Sequence, residues 1–166
     1  RHKLMSIHRS FPISPELMLK GYAAGIFPMS ESHKDPNYFW VNPKFRGVIP
    51  LNQFHISRSL KKIIRRRVFN ITFNKNFQTV LELCAKQTPE RQNTWINQPI
   101  KESVIKLHEM GFAHSIECWK DDMLAGGLYG ISLGGAFFGE SMFSRITNAS
   151  KVALVYLLAQ LKMGNY

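Results

Sequence analysis

The chain has 166 residues, 45% of them hydrophobic with 12 Phe, which suffices for one cored domain, or one with a small appended lobe, and excludes a disordered tail. Lys and Arg number 22 against 11 Asp and Glu, a formal net charge of +11, so a polyanionic partner is expected, with a merely well-solvated surface as the plainer alternative. Cys84 and Cys118 lack CxxC or Cys/His spacing, so neither a disulfide framework nor a zinc site is indicated and a cytoplasmic protein is expected; no run of about 18 apolar residues could span a membrane.

Arg1, His2 and Lys3 lead into Ser6, His8, Arg9 and Ser10 without an apolar core, so no secretory signal is expected, and Arg1 to Leu4 read as upstream of a start at Met5. Pro15 suits the first turn of a helix carrying Leu17, Met18, Leu19, Tyr22 and Ala23 and stopped by Gly25. From Ile26 to Pro50 the aromatic and Pro content predicts packing or ligand-facing loops. Ser57 predicts the cap of a helix with Leu60, Ile63 and Ile64 on its apolar side. Arg58, Lys61, Lys62, Arg65, Arg66 and Arg67 make up most of the remainder, six cations and no acid within ten residues.

The alternation of Val68 to Phe73 predicts a strand, and Phe77, Val80, Leu81 and Cys84 a second helix. After a polar loop, Thr88 to Asn93, the residues Ile100, Val104, Ile105 and Leu107 predict a third helix ending at Gly111. Three strands follow, His114 to Trp119, Leu124 to Ser132 and Ala136 to Met142, joined at Asp121-Asp122 and Gly134-Gly135 into an antiparallel meander. Asn148 is expected to cap a last helix carrying Val152, Ala153, Val155, Tyr156, Leu157 and Leu161. The pattern predicts an α+β fold, with an N-terminal lobe and connecting segment over 1–50 and a larger domain over 51–166. That domain is expected to lack its C-terminal part, leaving an apolar sheet edge uncovered and the chain only partly ordered or prone to aggregate.

Leu128-Tyr129-Gly130-Ile131-Ser132, then Phe137-Phe138-Gly139-Glu140-Ser141-Met142-Phe143-Ser144-Arg145, then Asn148-Ala149-Ser150-Lys151 form a compound pattern that resembles the bacterial leucyl/phenylalanyl-tRNA-protein transferases. Further blocks agree in order: Tyr22-Ala23-Ala24-Gly25-Ile26-Phe27-Pro28, Trp40-Val41-Asn42-Pro43, Phe54-His55-Ile56-Ser57-Arg58-Ser59, Thr94-Trp95-Ile96 and Gly111-Phe112-Ala113-His114-Ser115. The resemblance implies a small α/β lobe and an acetyltransferase-like (GNAT-type) domain. The implied activity moves Leu or Phe, and also Met, from its tRNA to the N-terminal Arg or Lys of a protein, marking it for degradation. It implies no cofactor, a monomer, and a catalytic acid in an Asp-x-Gln strand expected beyond Tyr166.

An aminoacyl ester is already activated, so its transfer requires alignment, proton removal and oxyanion stabilisation. Glu140 lies in an apolar strand, where a carboxylate needs a partner; a structural salt bridge is one reading, and the resemblance implies the other, a hold on the α-ammonium of the amino acid. Leu128, Phe137, Met142, Phe143 and Ser141 could line the aminoacyl pocket or simply be core, and strict alternation would not let all of them share a face without a bulge. Tyr22, Met29 and Trp95 are candidates for the terminal adenosine, Trp95 by stacking, against a plug between domains. Arg58, Lys61, Lys62 and Arg65 are the candidates for acceptor-stem phosphates, against a solvated face. His55, His108 and His114 are expected to be structural, and neither Ser141 nor Ser144 has a nucleophile elbow. Rival readings are an acetyl-CoA-dependent acetyltransferase, against which Arg145-Ile146-Thr147-Asn148 lacks a Gly-rich phosphate turn, and a non-catalytic RNA-binding module.

Overall fold

The computed structural model describes residues 11–89 and 91–166; the N-terminal stretch read above for signals lies outside the described residues. Two compact units emerge. The first takes the described residues up to Gly47 together with Ala85–Ala113, and the second takes Val48–Cys84 and His114–Tyr166. The boundary expected at 50/51 falls beside the first crossing, whereas the return of Ala85–Ala113 to the first unit has no compositional mark.

In the first unit, α1 (Pro15–Ala23) begins with Pro in its first turn and is capped by Ser14, whose hydroxyl accepts from Leu17 N at 3.2 Å. The region expected to be loop contains a short antiparallel sheet, β1 (Phe27–Met29) with β2 (Phe39–Val41), in the register Pro28↔Trp40. Gly21 of α1 is where Trp40 packs: a Cβ at that position would lie 2.3 Å from the indole ring. The other helix, here α4 (Gln98–Glu109), starts at Asn97. The Asn97 side chain accepts from Ile100 N at 3.2 Å and donates to the carbonyls of Asp35 and Asn37 at 2.9 Å, tying the helix to the loop after β1.

The second unit holds a four-stranded sheet of order β3-β4-β5-β6, with β3 Asn70–Phe73, β4 Ala113–Lys120, β5 Met123–Leu133 and β6 Ala136–Ser144. β3 pairs antiparallel with β4, and β5 with β6; β4 and β5 are joined by the two-residue turn Asp121-Asp122, with Asp121 at φ 51. The three expected meander strands are present and slightly longer. Leu128 of β5 packs with Val152, Ala153, Leu157 and Leu161 of α5 (Ala149–Met163). Its neighbour Tyr129, on the opposite face by alternation, meets Phe77 of α3 (Phe77–Ala85) edge-on at 6.1 Å. The sheet is therefore covered on both faces.

Asn148 does not cap α5 through its side chain: it sits at φ 71, outside the extended geometry that aims a capping oxygen at the first turn, and makes no such bond. Ser144, at the end of β6, takes over, accepting from Ser150 N at 3.3 Å and donating to the Ile146 carbonyl at 2.8 Å.

The sequence reading passed over Glu117. Fully buried on β4, it accepts at Oε1 from Ser115 Oγ (2.6 Å) and Asn76 N (3.2 Å), and at Oε2 from Thr72 Oγ1 (2.6 Å) and Lys75 N (3.4 Å). Thr72 Oγ1 in turn accepts from Trp119 Nε1 at 2.8 Å. One carboxylate thus joins β3, β4 and the approach to α3, satisfied by donors rather than by a cation. Neither cysteine is in a disulfide and both are buried, and burial pushes the Cys118 thiol up to about 12. Among the described residues no helix is long and apolar enough to cross a membrane.

Glu117→Gln turns one acceptor oxygen into a donor facing other donors. It is expected to destabilise the chain by about 2–3 kcal/mol, measured by urea unfolding.

Candidate functional site

β6 leaves β5 with a register shift. Met142 pairs with Leu128 and Ser141 with Tyr129, but Gly139 pairs with Gly130, so Glu140 is the extra residue of a β-bulge. The bulge resolves the alternation conflict. Phe137, Gly139 and Met142 lie on the face of Leu128 and α5, while Phe138, Ser141 and Phe143 lie on the face of Tyr129. Phe137 can lie against β5 only because position 130 is Gly: a Cβ there would sit 2.4 Å from the Phe137 ring and from the Phe138 carbonyl oxygen.

The side chains differ in access. Leu128 is 2% exposed and belongs to the cluster under α5; Phe137 packs partly buried against that cluster; Met142 is 44% exposed. Glu140 and Ser141 are half-buried at the bulge. Across the strand, Tyr129 is fully buried and its hydroxyl has no hydrogen-bond partner among the described residues. Burial first, and then the Glu140 carboxylate and Cys84, hold its phenol well above the usual range. A carboxylate, a hydroxyl and a phenol without a partner among the described residues thus lie at one irregularity of the sheet.

The cationic helix α2 spans Arg58–Arg65, capped by Ser57, whose hydroxyl accepts from Leu60 N at 3.3 Å. Leu60 is buried and Ile63 and Ile64 pack against the core, while Arg58, Lys61, Lys62, Arg65, Arg66 and Arg67 are all exposed. Such a line of cations can follow a phosphate backbone without reading its bases.

Tyr22, Met29 and Trp95 belong to the first unit. Ser30, directly after Met29, donates from its backbone N (3.1 Å) and its hydroxyl (3.0 Å) to the Trp95 carbonyl, so Met29 and Trp95 lie on adjoining, mutually pinned segments. Trp95 and Met29 keep partial exposure, whereas Tyr22 is 4% exposed on the inner face of α1. The expected structural histidines include His108, bonded through Nδ1 to the Ala113 carbonyl at 2.8 Å, and His114, bonded through Nδ1 to the Asn74 amide at 3.0 Å.

An open cleft of about 850 Å³ lies elsewhere in the second unit, beside the β4–β5 turn, lined by Trp119, Lys120, Asp121, Asp122 and Arg145 among others. It contains none of the residues singled out for aminoacyl or tRNA binding, and its mixed charges select no ligand class.

The family model described as leucyl/phenylalanyl-tRNA protein transferase matches residues 48–166, and that of its N-terminal domain matches residues 11–44. The chain belongs to this family. Proteins named leucyl/phenylalanyl-tRNA--protein transferase from Zymomonas mobilis, Rhodospirillum rubrum and Rhodopseudomonas palustris are 56%, 50% and 53% identical to it over 154 residues. Each match covers 93% of this chain, and respectively 58%, 72% and 68% of the relative. The chain is thus much shorter than the Zymomonas transferase it matches.

Within this transferase-family sheet, sequence reasoning singled out Glu140 and did not single out Tyr129, which lies beside it at the bulge. The available signal was a phenol in the middle of the apolar run Leu128-Tyr129-Gly130-Ile131, where a hydroxyl needs a partner that the run itself does not supply. Gly130→Ala is expected to displace Phe137 and strain the bulge, costing about 1–3 kcal/mol in chemical unfolding.

Proposed function

We propose that the chain serves in the transfer of Leu, Phe or Met from an aminoacyl-tRNA to the N-terminal Arg or Lys of an acceptor protein, marking that protein for degradation. The observation that carries this is the half-buried Glu140 on the bulge of β6, with Met142 beside it, inside a chain matched almost throughout to the transferase family. In this reading the larger unit is an acetyltransferase-like domain acting as a cytoplasmic monomer.

The Glu140 carboxylate pairs with the α-ammonium of the amino acid, and Met142 and Phe137 bound its apolar side chain, Met supplying adaptability. Leu128 stiffens the floor of that pocket from the core side. The acceptor's N-terminal amine attacks the ester carbonyl carbon, the tetrahedral intermediate collapses, and the ribose oxygen leaves with a proton while an amide forms. The residues of this chain act by holding the donor ester; proton removal belongs to the Asp-x-Gln strand that the resemblance implies. Trp95 stacks on the terminal adenine with Met29 as the softer neighbour, Tyr22 backs them from within, and Ser141 adds a polar contact beside Glu140. Arg58, Lys61, Lys62 and Arg65 take the acceptor-stem phosphates.

Two measurements test this. Glu140→Ala is expected to lower transfer by about a hundredfold or more, the cost of losing one positioning contact, with the melting temperature preserved; near-normal transfer would sink the aminoacyl reading. Charge reversal at Lys61 and Lys62 is expected to weaken tRNA binding and to flatten the log–log salt dependence by about 2, one counterion contact per cation. An unchanged slope would remove α2 from the interface.

A further inference from the structure

The buried Tyr129 hydroxyl is used neither by the fold nor by the chemistry above. A phenol that is 0% exposed with no acceptor among the described residues stands out, because removing the oxygen alone would leave the ring's contacts with Phe77 intact. What faces it is specific. Tyr129 is the residue opposite the bulge, paired with Ser141, and Glu140 is the extra residue beside that pair. The extra residue of a bulge does not follow the alternation of its neighbours, so the Glu140 side chain is aimed independently of Gly139 and Ser141.

We infer that Tyr129 is a positioning residue for Glu140: when an aminoacyl group binds, the phenol donates to one carboxylate oxygen while the other receives the α-ammonium. This rests on the reading of Glu140 as the ammonium partner and adds to it the group that orients the carboxylate. After burial itself, the Glu140 carboxylate is the next cause that holds the phenol above its usual range, in keeping with its place beside the Tyr129–Ser141 pair. A neutral O–H donor suits this role. It fixes a carboxylate without neutralising it, as a Lys or Arg would, so the full negative charge stays available to the ligand.

The test is a double-mutant cycle on this chain, with phenylalanine methyl ester as probe and calorimetry for binding. Tyr129→Phe is expected to melt no lower than the parent, since it removes an unpartnered buried oxygen, yet to bind the ester about tenfold more weakly, as expected for one hydrogen bond to a charged group. Glu140→Gln is expected to weaken binding further, and Tyr129→Phe in that background to add nothing. If Tyr129→Phe binds as the parent does while Glu140→Gln is impaired, the positioning role falls and the ammonium reading stands. Losses that simply add would overturn the coupling in the same way. Parent-like binding by Glu140→Gln, or no binding by the parent itself, would overturn both. Phenylalaninol, which keeps the ammonium but lacks the ester, is expected to show the same pattern of losses; if only the ester responds, the hydroxyl contacts the acyl group instead and the inference is wrong.

Discussion

A single inserted residue governs how the larger unit presents its chemistry. Without the bulge at Glu140, strict alternation would set Phe137 and Met142 on opposite faces of β6 and leave no apolar wall of adjacent side chains. With it, Phe137 and Met142 share the α5 face, Ser141 turns to Tyr129, and Glu140 is freed from the ladder. The same irregularity demands Gly at position 130, where the Phe137 ring occupies the space of a Cβ. The position of the acid, the pairing of the apolar residues and the identity of a glycine on the neighbouring strand are therefore consequences of one register shift.

The two acids of the sheet are placed very differently. Glu117 is saturated by four donors and spends its acceptor capacity on joining β3, β4 and the entry to α3. Glu140 is only half-buried and sits where backbone pairing is interrupted. A carboxylate locked on every side, as Glu117 is, is poor at receiving a ligand. On a chain of formal charge +11, the proposed reading turns on local arrangement rather than net charge, giving Glu140 to an ammonium and the exposed cations of α2 to phosphates.

Much of this was legible from the residues. Pro15 and Gly25 bracketed α1, Ser57 and the spacing of Leu60, Ile63 and Ile64 marked α2, and the Asp121-Asp122 and Gly134-Gly135 turns set out the meander, because caps, periodicity and turn chemistry act over a few residues. Long-range facts were not legible. Gly139 and the alternation conflict allow for a bulge in Phe138-Gly139-Glu140-Ser141, but which residue is inserted is defined only relative to β5. Glu117 went unmarked because three of its four donors, Thr72, Lys75 and Asn76, lie some forty residues earlier in the chain. Asn148 looked like a cap, but its left-handed backbone passed that role to Ser144.

The route of the chain carries a last consequence. It passes between the two units three times, at Gly47–Val48, Cys84–Ala85 and Ala113–His114. A cut near residue 50 would leave α4 on the wrong side, so neither unit can be excised as one continuous peptide. During synthesis the first unit stays incomplete until about residue 113 has been made, and by then β3 and α3 of the second are already waiting for their partner strand. Each unit must close a loop around a segment of the other, so their acquisition of structure is interleaved rather than successive.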